Sequence, residues 1–256
     1  MRNRFILSPS VLDEAVPGLE ALAKSDWLVN KPKLPDGDKQ TRMSAIYRPI
    51  ADFVAEALAR GERPVSIAGD CCAAIGVVAG LQRAGLNPIV IWFDAHGDFN
   101  TWETTPSGFI GGMPLAMMVG RGEQTIVDAA GLTPIAETQV ILTDARALDP
   151  GEQELIKQSA VQHLPDPTSL LTYAFPNNPL LIHFDPDIIQ TSEVPAMDYP
   201  APGGVSAREL QKVFRHVAQT GNIAAVSLAS WNPEKDKDGQ SQKVCLALLQ
   251  TLIDAY

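Results

Sequence analysis

Basic residues are in short supply in this chain of 256 residues, with 20 Lys and Arg against 30 Asp and Glu and a formal charge of −10. A surface of that sign repels nucleic acid and anionic lipid, so neither is expected as a partner. Long apolar runs are also missing, and none approaches the about 20 residues that a membrane-spanning helix needs. The opening segment MRNRFILSPS has only a short apolar patch and no small-residue cleavage pattern, so it does not read as a signal peptide. Cysteine is scarce: Cys71 and Cys72 are adjacent and Cys245 stands alone, which builds no disulfide framework. A reducing, cytoplasmic location is expected. Repeats and low-complexity tracts are absent. What remains is 45% apolar and 20% charged residues, the balance of a globular protein. The length suits a single large α/β domain covering residues 1–256.

The pattern alternates between strand and helix. Met43, Ile46, Tyr47, Ile50, Phe53, Val54, Ala57 and Leu58 recur at helical spacing, and Gly61 ends that run. Residues 64–68 (PVSIA) read as a short buried strand, and residues 73–84 as a helix ending near Gly85. The unbroken apolar run PIVIWF, residues 88–93, suits a strand buried on both faces of a parallel sheet. Further strands are expected over residues 139–142, 180–184 and 223–228. A helix follows Asp149-Pro150, with Asp149 as N-cap. Another spans Ser206 to Val217, with Ser206 and Glu209 as a capping box, and a last one spans Lys243 to Ala255. Alternating strands and helices predict a parallel sheet covered on both faces, with ligands at the carboxyl ends of the strands.

Two segments stand out at such ends. In IVIWFDAHGDFN, residues 89–100, a buried strand runs into Asp94, His96 and Asp98. In LLIHFDPDII, residues 180–189, another runs into Asp185 and Asp187. Residues two apart in an extended chain point to the same side. Four carboxylates and an imidazole gathered in a small buried volume need a neutralising charge, which one or two divalent cations supply. Hard oxygen donors with one imidazole favour Mn²⁺ or a similar ion. A single Asp after a strand is usually a turn or cap residue, so the pairing of the two segments carries the weight. His183 is read as pointing away from the neighbours of Asp185 if Phe184 faces a helix, with a role behind the ligands left open. His163 and His216 read most simply as surface or interface residues.

With these motifs the chain resembles the arginase, agmatinase and formiminoglutamase family from about Pro64 to Pro233. DAHGDFNTWETTPSGFIGGMPLAM is close to the family's DAH-D signature and following loop, and HFDPD to its second ligand pair. DARALDPGE and PAPGGVSAREL resemble two further family segments, in the same order. The resemblance implies a three-layer α/β/α sandwich with a mostly parallel central sheet. It implies a hydrolase of non-peptide C–N bonds that uses hydroxide activated by two Mn²⁺ ions, with Asp94 and Asp185 shared between them. Asp98 would complete one metal position, and His96 with Asp187 the other. Asp98 and His96 are also the expected catalytic groups. Asn100, Thr105 and Ser107 match the loop that holds a substrate α-carboxylate, and Asp149 and Glu152 match residues near the α-amino group. The family also implies a small-molecule substrate and a homo-oligomer, a trimer or hexamer.

The chain departs from the family at three positions. Cys71 stands where a metal-ligating His is usual. It reads either as a thiolate ligand favouring a softer ion such as Zn²⁺, or as a small buried residue beside a weakened site. Gly111 replaces a His thought to shuttle protons. Ser230 takes the place of a Glu that pairs with the substrate guanidinium, and a serine offers no bidentate carboxylate. The leading expectation is a hydrolase of a small guanidino, amidine or related substrate, with room for an amino-acid tail. The alternative is a catalytically silent homologue that binds a ligand or stabilises an assembly. A one-metal deacylase ranks last, because no paired His residues or catalytic Tyr accompany the ligands.

Overall fold

The structure, a computed structural model, describes residues 1–229 and 231–254. Along the chain run β1 (Asn3–Ser8), β2 (Ser10–Val11), β3 (Glu14–Ala15), α1 (Pro17–Glu20), β4 (Leu28–Val29), α2 (Lys39–Ala59), β5 (Arg63–Ala68), α3 (Ala73–Arg83) and β6 (Ile89–Asp94). There follow α4 (Pro114–Met118), α5 (Thr125–Ala130), β7 (Val140–Asp144), α6 (Pro150–Gln158), β8 (Gln162–Leu164), β9 (Pro179–Phe184), α7 (Ala207–Thr220), β10 (Asn222–Ala229) and α8 (Gln240–Ile253). Eight strands form one sheet in the order β4-β1-β5-β10-β9-β6-β7-β8, and every pairing in it is parallel. β2 and β3 form a separate small hairpin.

Side chains alternate across the pleat, so each inner strand feeds two cores. Val90, Trp92, Leu142 and Leu181 pack with α2 and α3 on one face. Ile91, Phe93, Ile182 and Phe184 pack with Phe214 of α7 and Leu248 of α8 on the other. This is the three-layer α/β/α sandwich expected from the sequence. The predicted elements fall within one to four residues of those observed. α7 begins with the predicted capping box: Glu209 N donates to Ser206 Oγ (3.2 Å) and Ser206 N donates to Glu209 Oε2 (3.1 Å). The end of the last predicted helix, Ala255, lies outside the described residues. No helix among the described residues is long and apolar enough to cross a membrane.

Strand parity answers the question left at His183. Phe184 does face α7, but His183 shares its face with Leu181 and lies opposite Trp92 in the β6–β9 register. It therefore looks toward the side that carries Asp94, not away from it.

Candidate active site

β5, β6, β7 and β9 all end at one edge of the sheet, and their last residues and following loops build the site. Two turns of the same design do most of the positioning. Asp94 Oδ1 accepts the amide of His96 (2.7 Å), and Asp185 Oδ1 accepts the amide of Asp187 (2.9 Å). Each leading carboxylate thus curls the chain and brings the side chain two residues on into the same space. The loops are tied together, because Ala95 N donates to Asp187 Oδ1 (3.0 Å) and Asp185 N donates to the Phe93 carbonyl (2.8 Å). His96 Nδ1 lies 2.8 Å from Asp187 Oδ2 and 3.5 Å from Asp94 Oδ1. Cys71, just after β5, sets its Sγ 3.2 Å from Asp185 Oδ2 and 3.9 Å from Asp94 Oδ2. Asp98 adopts a left-handed backbone (φ 51°), a conformation that Asp tolerates better than most residues. All six groups line one cavity of about 550 Å³.

The electrostatics show a site short of positive charge. Burial, then the charge of Asp187, raises the Asp94 carboxyl to about 6. Burial and the charge of Asp94 push Asp98 well above the usual carboxylate range, and burial with Asp187 and Asp94 does the same to Asp185. Burial pushes up the Cys71 thiol, and the surrounding Asp charges push it further. For His96, burial opposes the charged ring, but hydrogen bonds to Asp187 and Asp94 outweigh it and raise the imidazole to about 12. Protons are held wherever a cation would otherwise neutralise the cluster. Asp98 Oδ2 is buried with no hydrogen-bond partner. The donor set therefore fits a bound divalent cation, which accepts several such oxygens at once.

Above the carboxylates lie the residues expected to touch a substrate. Asn100 Nδ2 donates to Asp149 Oδ2 (3.0 Å), and Thr104 Oγ1 donates to Asn100 Oδ1 (2.9 Å). Glu152 Oε1 accepts the amide of Phe99 (2.8 Å) and Oε2 the amide of Asp149 (3.2 Å). Burial, partly offset by those amides, raises its carboxyl to about 7. Thr105 Oγ1 accepts from Gly108 N (3.1 Å) and Ser107 Oγ from Phe109 N (3.2 Å). Thr105 Oγ1 and Ser107 Oγ also lie 3.4 Å apart, so one hydroxyl donates to the other and the remaining O–H is left for an anionic group. Asn100, Thr105, Ser107, Asp149 and Glu152 all line the cavity. Ser230 lies outside the described residues.

Some wall residues carried no signal in the sequence. Tyr199 belongs to the long loop before α7, and its ring meets that of Phe109 at 5.0 Å across the cavity mouth. A Cβ on Gly111 would come 2.4 Å from the Phe109 ring, so a larger residue there requires that ring to move. His183 is completely buried and stacked on Trp92 at 3.6 Å, and one ring nitrogen lies within 4.8 Å of both Cys71 Sγ and a carboxylate oxygen of Asp94. Its spacing two residues before Asp185, matching Trp92 before Asp94, was the available clue. Burial lowers its imidazole to about 3. Cys72 is buried, its Sγ 3.9 Å from the Ile110 carbonyl. His163 is half-buried, with Nε2 2.9 Å from the Asp144 carbonyl, and so is more than a surface residue.

Comparison with known proteins agrees with this geometry. The arginase family model matches residues 20–254. The chain is 30% identical over 243 residues to the arginase of Bacillus subtilis (strain 168), covering 89% of this chain and 82% of that one. It is 28% identical over 251 residues to the N(omega)-hydroxy-L-arginine amidinohydrolase of Streptomyces lavendulae, covering 97% and 85%. The crystal structure of arginase from Bacillus subtilis subsp. subtilis str. 168 superposes with a TM-score of 0.84 at 24% identity, covering 99% of this chain and 98% of that one. The motifs at the two strand ends, the sheet that carries them and the matched length agree: the chain belongs to the arginase family.

Proposed function

We propose that this arginase-family enzyme hydrolyses a non-peptide C–N bond in a small amidine-type compound, with divalent metal held by Asp94, His96, Asp98, Asp185 and Asp187. The observation that carries the reading is the convergence of these five residues at the base of a cavity whose walls include Asn100, Thr105, Ser107, Asp149 and Glu152. Bound divalent ions would supply Lewis acidity and a nucleophile at neutral pH. Asp94 and Asp185 would hold the ions together with Asp98 and Cys71 on one side of the cluster and His96 and Asp187 on the other. Mn²⁺ suits the oxygen-rich half, and the thiol favours Zn²⁺ at the other.

The chain's own residues bind, orient and move protons. The O–H left over between Thr105 and Ser107, with Asn100, supplies the donors for a substrate carboxylate, and Asp149 and Glu152 are the acceptors for an α-amino group. A relative named for hydroxyarginine is consistent with such a tail. Gly111 cannot carry a proton, so that task falls to Asp98 and His96, the ionisable groups nearest the reacting end. Ser230 offers no bidentate carboxylate to a guanidinium, so the reading favours an amidine, formimino or modified guanidino head over arginine itself.

The test is turnover by protein loaded with Mn²⁺ or Zn²⁺, assayed on guanidino, formimino and amide compounds for release of the amine product. Turnover should disappear on chelation and fall at least about 10³-fold in Asp185→Asn, as expected when a group essential to a metal site is lost. No turnover across the whole panel would overturn the reading in favour of a silent binding protein.

A further inference from the structure

The five residues above leave one buried nitrogen unexplained. His183 has no exposed surface, its Nε2 has no hydrogen-bond partner, and its Nδ1 lies 3.3 Å from Ser227 Oγ. An imidazole nitrogen left without a partner in a buried site is costly. The ring belongs to a polar row laid across the middle of the sheet, one layer beneath the acidic cluster: Ser66 on β5, Ser227 on β10, His183 on β9 and Trp92 on β6 are consecutive neighbours in register. Above that row stand Cys71 and Asp94.

We propose that His183, with Cys71 and Asp94, forms a buried metal site that takes a zinc-class ion, His183 supplying from beneath the imidazole that position 71 lacks. This inference rests on the metal-dependent reading above. Ligand atoms of all three residues lie within 4.8 Å of one another, and Cys71 Sγ is 3.9 Å from Asp94 Oδ2. Zinc bonds of about 2.0–2.3 Å at tetrahedral angles place ligand atoms about 3.5 Å apart, so small side-chain movements close the set. Ser227 completes the design. When Nδ1 carries the proton and donates to Ser227 Oγ, Nε2 presents its lone pair, the usual arrangement behind a metal-bound imidazole. Sulfur, nitrogen and one carboxylate oxygen form a softer set than the oxygen-rich half of the cluster, so the two halves prefer different ions.

Co²⁺ is the probe, because its absorption reports sulfur and nitrogen ligands directly. Metal-free full-length protein, Cys71→Ser and His183→Gln would each be titrated with Co²⁺. Wild type should show a thiolate-to-cobalt charge-transfer band with the first equivalent, and Cys71→Ser should lose it. His183→Gln should keep the band but shift the visible ligand-field absorption and weaken the first equivalent at least about tenfold. Identical spectra and affinity in His183→Gln would overturn the proposal. Should that variant fail to fold, X-ray absorption of His96→Ala loaded with one Zn²⁺ decides. One sulfur and one imidazole on the same ion support the site, and sulfur without imidazole refutes it. Turnover by protein whose cobalt spectrum and affinity do not depend on His183 would leave the proposed function standing and sink only this site. The cobalt spectrum without turnover would do the reverse.

Discussion

Single residues show how little freedom the site allows. Gly97, between two proposed ligands, is a case of close approach. A Cβ there would lie 2.6 Å from Leu148 Cδ2 and 2.7 Å from Glu152 Oε1. Glu152 is the side chain that holds the amide of Phe99, so it cannot yield without loosening the loop that carries Asp98. Gly97→Ala should cost about 1–3 kcal/mol, the usual penalty of overpacking, and calorimetry should show a lower melting temperature with reduced metal affinity. An unchanged melting temperature would mean that Glu152 and Leu148 move aside freely. At this scale the sequence was informative about charge and silent about company. Asp94, His96, Asp98, Asp185 and Asp187 were legible because two buried strands end in acids at alternate positions. Tyr199 was not, because a loop position is set by the path of the chain and not by any periodicity. His183 was half legible: its parity was on the page, but which face carried the site depended on the register of β9 against β6.

At the scale of elements, long and strongly periodic segments were read well and short ones were not. β1 was missed because Phe5, Ile6 and Leu7 are too few to signal a strand; its pairing with β5 over Asn3↔Arg63 to Ser8↔Ala68 makes it one. The two-residue β4 and three-residue β8 exist only as additions to a sheet already formed. The loops are held together by Arg146, from the segment after β7. It pairs with Asp144 and donates to the carbonyls of Asp187 (2.8 Å), Ala201 (3.0 Å) and Pro202 (2.9 Å). One planar fork thus joins the ends of β7 and β9 to the turn before α7. Lysine cannot reproduce that geometry. Arg146→Lys should lower stability by about 1–3 kcal/mol, since part-buried carbonyls lose their donor. Metal affinity should fall with it, because the clamp holds the Asp187 turn. Denaturant unfolding with and without metal measures both effects, and a variant as stable as wild type would show that the clamp is dispensable.

For the whole molecule the excess of acid has a consequence for stability. Without metal, the folded protein holds protons at Glu152, raised to about 7, and at Asp94, raised to about 6. The unfolded chain releases them near 4.5 and 3.8. A raised folded value gives stability that is complete below the unfolded pKa and is lost as the pH climbs through the folded one. His96, raised from 6.5 to about 12, acts in the same direction over a higher range. Metal-free protein should therefore be most stable near pH 5 and lose stability steadily up to pH 8. Divalent metal should restore stability at the alkaline end by replacing the protons. Melting curves in chelator between pH 5 and 8 test this, and stability rising with pH would contradict it. Glu152→Gln should flatten part of the slope.

The order of strands bears on how the chain is made. β5 pairs only with β1 and β10, and β6 only with β7 and β9, so the two middle strands of the sheet are the last two in the chain. A ribosome working from the first residue produces two half-sheets, β4-β1-β5 and β6-β7-β8, before it makes anything that joins them. Each half waits with an open edge of the kind that invites wrong partners. The acids of β6 and those after β9 meet only once β9 has been made and has docked on β6. Capture of the proposed metal would therefore be a late event in the life of the nascent chain, and a shortened transcript costs the protein the centre of its sheet rather than its margin.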